Sequence, residues 1–302
     1  MIGIRDRRVG MKLAAPIGGS VKRRHATVTR GVTLVARATK WTFLGVMVAV
    51  TIVPLLWLVV SAFKTTPELF KSPFGFPQNA SFGNFAGAFR AAPLGSYFRN
   101  SVVISTASTV VAIAISILAA YALRHRFRLN GAVRSLLMVG LLVPFTAFMT
   151  PIFYLVYHLH LYNSVWGIAL VYVGISMPVG FLIVKGYMDT IPYELLEAAR
   201  VDGASFHGIL RRVMLPLSWP GLATAAIFLT INAWNELLFA NLLSSGPSSQ
   251  TLQVGILTYI TGYAVNYPQA FAATVIAMAP AIVVYAVLSD RISTSMTAGA
   301  LK

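Results

Sequence analysis

The chain has no cysteine among its 302 residues. Disulfides and Cys-ligated metals are therefore excluded, and the redox compartment leaves no trace in the sequence. Acidic residues are scarce too: eight Asp and Glu stand against 24 Lys and Arg, for a formal net charge of +16. Charged residues of both signs make up only 11% of the chain, against about 25% in soluble domains. That leaves no room for a large soluble domain. The Gly-Lys-Ser/Thr loop that cradles nucleotide phosphates is missing, so the chain does not bind ATP in that way. Ser and His residues show no nucleophile spacing. His158 and His160 read as an interfacial polar pair rather than a metal site, because Glu194, Glu197 and Asp202 lie beyond the next apolar run.

What is present is apolar length. Mean hydropathy is +0.74. Six runs of about twenty residues, each long enough to cross a bilayer, fall near Trp41–Phe63, Arg99–Leu123, Val133–Tyr157, Val165–Tyr187, Trp219–Leu243 and Ala270–Ser289. They predict an all-α fold, a polytopic membrane bundle of six transmembrane helices. Basic residues sort by side, as cytoplasmic loops require. With the N-terminus inside, 20 of the 24 lie on the inner side, and only Lys64, Lys71, Arg90 and Arg99 lie outside. Both termini are thus expected in the cytoplasm, and the positive charge is a topology signal rather than a nucleic-acid footprint.

Residues 1–40 read as a basic cytoplasmic tail, 41–290 as the membrane domain and 291–302 as a second cytoplasmic tail. The first apolar run is too long for a cleaved signal and no small-residue cleavage pattern follows it. Met11 is an alternative start. The longest outer segment, Lys64 to Phe98, carries Phe74, Phe76, Phe82, Phe85 and Phe89, with a short helix expected from Asn84-Phe85. Individually these rings suit an interfacial aromatic belt; together they suit a landing surface for an external partner. Pro54, Pro144, Pro151, Pro178 and Pro280 fall within spans, where neighbours must re-satisfy the backbone.

The segment between spans 4 and 5, about residues 188–218, is polar but ordered. Thr190 is an expected N-cap, with Pro192 in the first turn. Glu194 and Glu197 sit near the positive end of the helix dipole. Leu195, Ala198, Ala199 and Asp202 follow i, i+3, i+4, i+7 spacing and share one small, nearly flat face. Gly203 stops the helix in the left-handed conformation. Ser205 caps a second short helix that Leu215-Pro216 ends. On spacing alone, this is either a docking element for a soluble partner or a structured connection between spans. Near the end of span 5, Asn232, Asn235 and Glu236 share a helix face at i, i+3 and i+4, which Phe228 and Phe239 extend. A carboxylate there must face water or a partner. The face therefore lines a solute path or clamps two helices together.

The order Glu197-Ala198-Ala199, three residues, Gly203, nine residues, Val213, one residue, Leu215-Pro216 resembles the cytoplasmic coupling loop of ABC-importer permeases. The one departure is Val213, where Ile is commoner. Leu161-Tyr162-Asn163-Ser164-Val165-Trp166-Gly167, Trp219-Pro220-Gly221-Leu222, Trp234-Asn235-Glu236 and the end, Thr297–Lys302, are similar to the maltose-type branch of that family. The resemblance runs from about span 1 to the last residue and leaves only the basic tail uncovered. A secondary transporter or channel subunit is the alternative, but only Glu236 is an ionisable relay candidate and no repeated halves appear.

The resemblance implies a non-enzymatic permease subunit of the type I importer fold, in a bacterial or archaeal cell membrane. It implies three kinds of protein partner: a homologous second permease, an ABC ATPase dimer using ATP and Mg, and an extracytoplasmic solute-binding protein. This chain itself would bind no cofactor and no nucleic acid. Glu194, Leu195, Glu197, Ala198, Ala199, Asp202 and Gly203 would couple to the ATPase, and the C-terminal residues Met296–Lys302 would reach toward it. The solute would be a carbohydrate or related polyol.

The charge asymmetry generates a direct test. With Ser20→Cys and Ser81→Cys introduced singly into this cysteine-free chain, a membrane-impermeant maleimide should label position 81 in intact cells and position 20 only after permeabilisation. The reverse pattern would invert the topology.

Overall fold

The computed structural model describes residues 19–125, 128–260 and 265–300, with side chains from Arg37 to Ala286, Val284 apart. The chain divides into two compact units, Met1–Trp57 and Leu58–Lys302. In order, the helices are α1 (Gly19–Ser61), α2 (Thr66–Lys71), α3 (Gly83–Ala91), α4 (Leu94–Ala122), α5 (Asn130–Val139) and, after a 3-10 turn at Phe145–Phe148, α6 (Met149–His158). Then come α7 (Val165–Met188), α8 (Tyr193–Val201), α9 (Phe206–Ile209), a π-turn at Leu210–Met214, α10 (Leu215–Asn235), α11 (Leu238–Leu243), α12 (Leu252–Leu257) and α13 (Tyr267–Ala300). No strand occurs among the described residues. The expected helix at Asn84-Phe85 is α3.

Among the described residues four stretches are long and apolar enough to cross a membrane: Arg37–Ser61, Leu94–Ala122, Val165–Met188 and the continuous Phe206–Asn235, with a shorter one at Tyr267–Val283. α1 and α13 run beyond the predicted spans, α1 back to Gly19 and α13 on to Ala300. The tail up to residue 18, Arg126, and the side chains of Arg291 and of the Met296–Lys302 tail lie outside the described residues.

The bundle is built on α4, α7 and α10, which pack on one another, with α13 against α10 and α3. Between Tyr97 and Tyr121 the face that α4 buries is mostly polar or small: Asn100, Ser101, Ser105, Ser108, Thr109, Ala112, Ser116 and Ala120, with Ile104 the one large apolar residue among them. Lipid is as apolar as leucine, so membrane helices associate by close approach of small residues. Ser105 and Ser108 return their hydroxyls to Ser101 O and Ile104 O, at 2.7 Å each. On the facing helices, a Cβ at Gly180 would meet Ser116 Oγ at 3.0 Å, and one at Gly221 would meet Tyr187 Cγ at 2.3 Å. The Trp219-Pro220-Gly221-Leu222 motif therefore marks a helix crossing where no side chain fits.

Three expectations need correction. The third predicted span is not one helix. α5 stops at Val139, Pro144 stands extended before the 3-10 turn, and α6 starts at Met149. Pro144 cannot donate to the ladder and disfavours helix in the residue before it, so the break falls there. Nor does Leu215-Pro216 end the second short helix. The π-turn at Leu210–Met214 carries the chain straight into α10, with Leu215 N–H donating to Leu210 O. An i to i+5 turn relocates the donor that proline lacks, and Pro216 then sits in a first turn where none is needed. Thr190 is not the cap of α8. Its hydroxyl donates to Tyr187 O at 2.8 Å, and Pro192 occupies the cap position.

The outer segment is ordered by its backbone. Thr65 and Glu68 form a reciprocal capping box on α2, and the Thr65 amide holds the Glu68 carboxyl below the usual carboxylate range. Lys64 is buried, its ammonium donating to Ser72 O at 3.0 Å and Pro73 O at 2.8 Å. Asn84 Nδ2 closes the same loop onto Ala62 O and Lys64 O, at 2.8 Å each. The loop thus holds Phe74, Phe76 and Phe82 outward, each at least 73% exposed.

Candidate functional site

α8 is short and amphipathic in an unusual sense: it has one buried anchor and an otherwise open surface. Leu196 is fully buried in a cluster with Tyr121, Phe181, Met188, Ile209 and Met214, and Ala199 packs against the edge of that cluster. Of the predicted face, Ala199 thus turns partly inward, while Leu195, Ala198 and Asp202 stay exposed. Glu194 and Glu197 are exposed too, and Val201 is 88% exposed. The accessible surface of α8 has apolar Leu195, Ala198 and Val201 among Glu194, Glu197 and Asp202, with Arg200 also exposed. An uncovered apolar face on a rigid element marks an interaction site.

The rigidity is local. Gly203 has φ +79°. Its N–H donates to Arg200 O at 3.0 Å, and Ala204 N–H donates to Ala199 O at 2.9 Å. This is the paired closure of a helix end that a left-handed residue permits. Ser205 then accepts from Gly208 N–H at 3.2 Å and starts α9. Both features were readable from Gly203 and Ser205 alone.

Asn232, Asn235 and Glu236 are not on one helical face. α10 ends at Asn235, and Glu236 is extended, at φ −71° and ψ 125°. Its carboxylate turns into the bundle. It accepts from Phe239 N–H at 3.0 Å, Ala240 N–H at 3.1 Å and the Tyr172 hydroxyl at 2.6 Å. A carboxylate inside a span is thereby satisfied by the first amides of α11 and a hydroxyl from α7. Phe239, expected on the same face, is buried in the core, while Phe228 is 48% exposed. Trp234 is also buried and donates to Ala277 O at 3.1 Å.

Asn232 and Asn235 remain exposed, each side-chain amide donating back to its own helix, to Phe228 O at 2.7 Å and Ile231 O at 3.0 Å. Beside them opens a cavity of about 290 Å³ lined by Asn235, Gln253, Thr274 and Met278. Gln253 on α12 reaches Asn235 Oδ1 at 3.4 Å. Gln253 is a site residue that reading the sequence missed; its only signal is a lone amide in the apolar run Leu252–Leu257. A second groove, of about 1110 Å³ and almost wholly apolar, runs between α4 and α10 from Thr230 to Arg211. Among the described residues no group of three His, Cys, Asp or Glu could hold a metal. His158 is exposed, and His160 takes φ +57° in the turn after α6. In that turn Asn163, also at φ +57°, accepts from Ser245 N–H at 3.0 Å and from Ser249 Oγ. The Leu161–Gly167 motif is thus a tie to the end of α11.

Residues 112–298 match the family model described as the binding-protein-dependent transport system inner membrane component. The chain belongs to this family. Among its relatives is a putative ABC transporter permease of Caldicellulosiruptor, 34% identical over 267 residues, 87% of this chain and 97% of that one. Another is the sulfoquinovosyl glycerol transport permease of Agrobacterium fabrum, 34% identical over 251 residues, 82% of this chain and 88% of that one. The trehalose transport permease of Mycobacterium tuberculosis is 31% identical over 272 residues, 88% of this chain and 98% of that one. The fold is that of a solved bacterial ABC transporter involved in alginate import, with TM-score 0.73 at 21% identity over 91% of this chain and 99% of that one. The protein is a multi-pass membrane permease, the translocation subunit of an ABC importer.

In this permease Glu236 makes a definite prediction. Glu236→Ala removes the acceptor of two buried amides and should lower stability by about 1–3 kcal/mol. Tyr172→Phe should cost less, about 0.5–1.5 kcal/mol. Thermal unfolding of the purified chain is the measurement; an unchanged midpoint in Glu236→Ala would remove the carboxylate from the architecture.

Proposed function

We propose that this permease carries a carbohydrate or related polyhydroxyl solute into the cell, and that α8 is where a separate ATPase drives it. The observation that carries the reading is the exposed face of α8, apolar residues among carboxylates, fixed by buried Leu196 below and the Gly203 turn behind. Leu195, Ala198 and Val201 offer contact area, Ala198 allows close approach, and Glu194, Glu197 and Asp202 meet basic groups on the partner. Ala199 supports the helix from beneath. The ATPase dimer uses ATP and Mg; this chain supplies the surface they act through. Basic residues concentrate on the same side of the membrane as α8, so that side is the cytoplasm and both termini lie there.

The solute class is supported by the names of relatives, which include permeases for diacetylchitobiose, trehalose and sulfoquinovosyl glycerol. The chemistry of the span agrees. Asn235 and Gln253 present amides at a cavity among apolar helices, with Asn232 exposed one turn away on α10, and amides donate to and accept from hydroxyl groups alike. Glu236 supports this station by holding α11 in place. Exposed amides on a span are costly against lipid. A second, homologous permease subunit facing α10 relieves that cost and completes the path. An extracytoplasmic solute-binding protein delivers the solute to the outer side, as in the neighbouring alginate transporter, solved with a pentasaccharide-bound periplasmic protein.

The coupling reading is tested at Gly203. A β-branched residue opposes its positive φ by about 1–2 kcal/mol, and nothing within 4 Å of the position would otherwise clash with a Cβ. Gly203→Val should therefore leave the chain in the membrane while reducing uptake of the solute borne by the co-purifying binding protein about 5- to 30-fold. Uptake at the native rate would sink the docking assignment.

A further inference from the structure

The C-terminal end of α4 meets α8 and its flanks through three side chains that the coupling reading does not use. We propose that Tyr121, Arg124 and His125 are positioning residues that clamp the docking helix to the membrane bundle, so that α8 and α4 move as one body. The inference rests on α8 being the docking helix and names the parts that transmit its motion.

Each of the three holds a different point of the loop. The Arg124 guanidinium donates to Met188 O, and to Ile191 O at 2.8 Å. These carbonyls mark the end of α7 and the approach to α8, where helical partners have run out. Tyr121 donates its hydroxyl to Phe206 O at 2.9 Å, at the start of α9. His125 Nδ1 lies 3.0 Å from Arg200 Nη2, on α8 itself. Arginine has no acceptor, so His125 accepts and is the neutral tautomer with its proton on Nε2. The entry, the body and the exit of the docking segment are thus tied to the last turn of α4 and the turn that follows it. The rings of Tyr121, His125 and Phe206 meet pairwise, Tyr121 and His125 edge-on and the other two pairs tilted, with centroids 4.5–5.3 Å apart. Asn130 Nδ2 fastens the turn from behind, donating to Leu123 O at 3.1 Å and His125 O at 2.8 Å. A connector that merely spanned the gap would need none of these ties.

The clamp carries a titratable member. Groups facing His125 are Tyr121 on α4, Arg124 in the turn that follows it, Arg200 on α8, itself lying 5.8 Å from the Tyr193 ring centroid, and Phe206 with its neighbour His207 on α9. Arg126 lies outside the described residues. Nε2 is buried without a partner. Burial first, then the charges of Arg200 and Arg124, hold the imidazole below the ordinary histidine range. The clamped state thus binds fewer protons than the released one. Its full strength lies above about pH 6.5, the unperturbed histidine value, and it is lost as pH falls through the lower, clamped value.

That proton is the test. Spin labels at Leu118→Cys on α4 and Val201→Cys on α8, both exposed, report the distance between the two helices by pulsed EPR in the full chain in nanodiscs. With His125 native, the distribution should be narrow at pH 8 and at least twice as wide at pH 5. His125→Gln keeps an acceptor for Arg200 without a proton to gain, and should stay narrow at both. Arg124→Gln should be broad at both. In the assembled importer, Arg124→Gln should raise ATP consumed per solute moved at least fivefold. Native-like pH broadening in His125→Gln, a native width in Arg124→Gln at pH 8, or native stoichiometry in Arg124→Gln would each overturn the clamp. The EPR arm needs no ATPase, so it stands or falls apart from the docking reading, which Gly203→Val decides.

Discussion

A helix that breaks inside a bilayer must find new partners for the backbone groups it frees, because lipid offers none. This protein breaks its helices repeatedly, and several of the breaks are repaired from within the chain. After α10, the Glu236 carboxylate takes the first free amides of α11 and is itself held by Tyr172. Before α10, a π-turn shifts the ladder by one residue so that Pro216 causes no gap. At the end of α7, Arg124 supplies a cation to carbonyls that have lost helical donors. The same requirement explains the buried Lys64, whose ammonium closes two carbonyls of the outer loop. Side chains that look like chemistry in the sequence are here occupied by backbone.

That occupation separates the fixed parts of the permease from its working parts. α4, α7 and α10 meet through serines, alanines and glycines, a contact that permits close approach but little rearrangement. The groups left free of such duty are few. Among the described residues they include the open face of α8 and, at the far end of α10, the side chain of Gln253, which meets Asn235 Oδ1 rather than a carbonyl of the backbone. α10 joins them, running without interruption from α9 past the apolar groove to the amide-lined cavity.

Legibility of the sequence followed the range of the forces involved. Continuous spans were readable because bilayer thickness demands apolar length whatever the neighbours. The Gly203 turn and the Ser205 cap were readable because both are settled within five residues. Failures arose where a distant group decides. Glu236 was read as part of a helix face, since nothing nearby shows that Tyr172, 64 residues back, draws it inward. Leu215-Pro216 looked like a stop because proline usually is one, and the π-turn that absorbs it has no composition of its own. Thr190 has the right chemistry for a cap, yet Tyr187 O takes its hydroxyl. Arg124 counted only as a topology charge, although its guanidinium proves to be a structural tie.

The central claim is that α8 is the surface through which an ATPase moves this membrane bundle. The most direct measurement places a benzophenone on Val201→Cys, a position 88% exposed on α8, in the otherwise cysteine-free chain in native membranes. Irradiation should join the permease to a polypeptide that carries the nucleotide-binding Gly-Lys-Ser/Thr loop this chain lacks. Adducts with lipid alone, or with no ATPase among the products, would contradict the account.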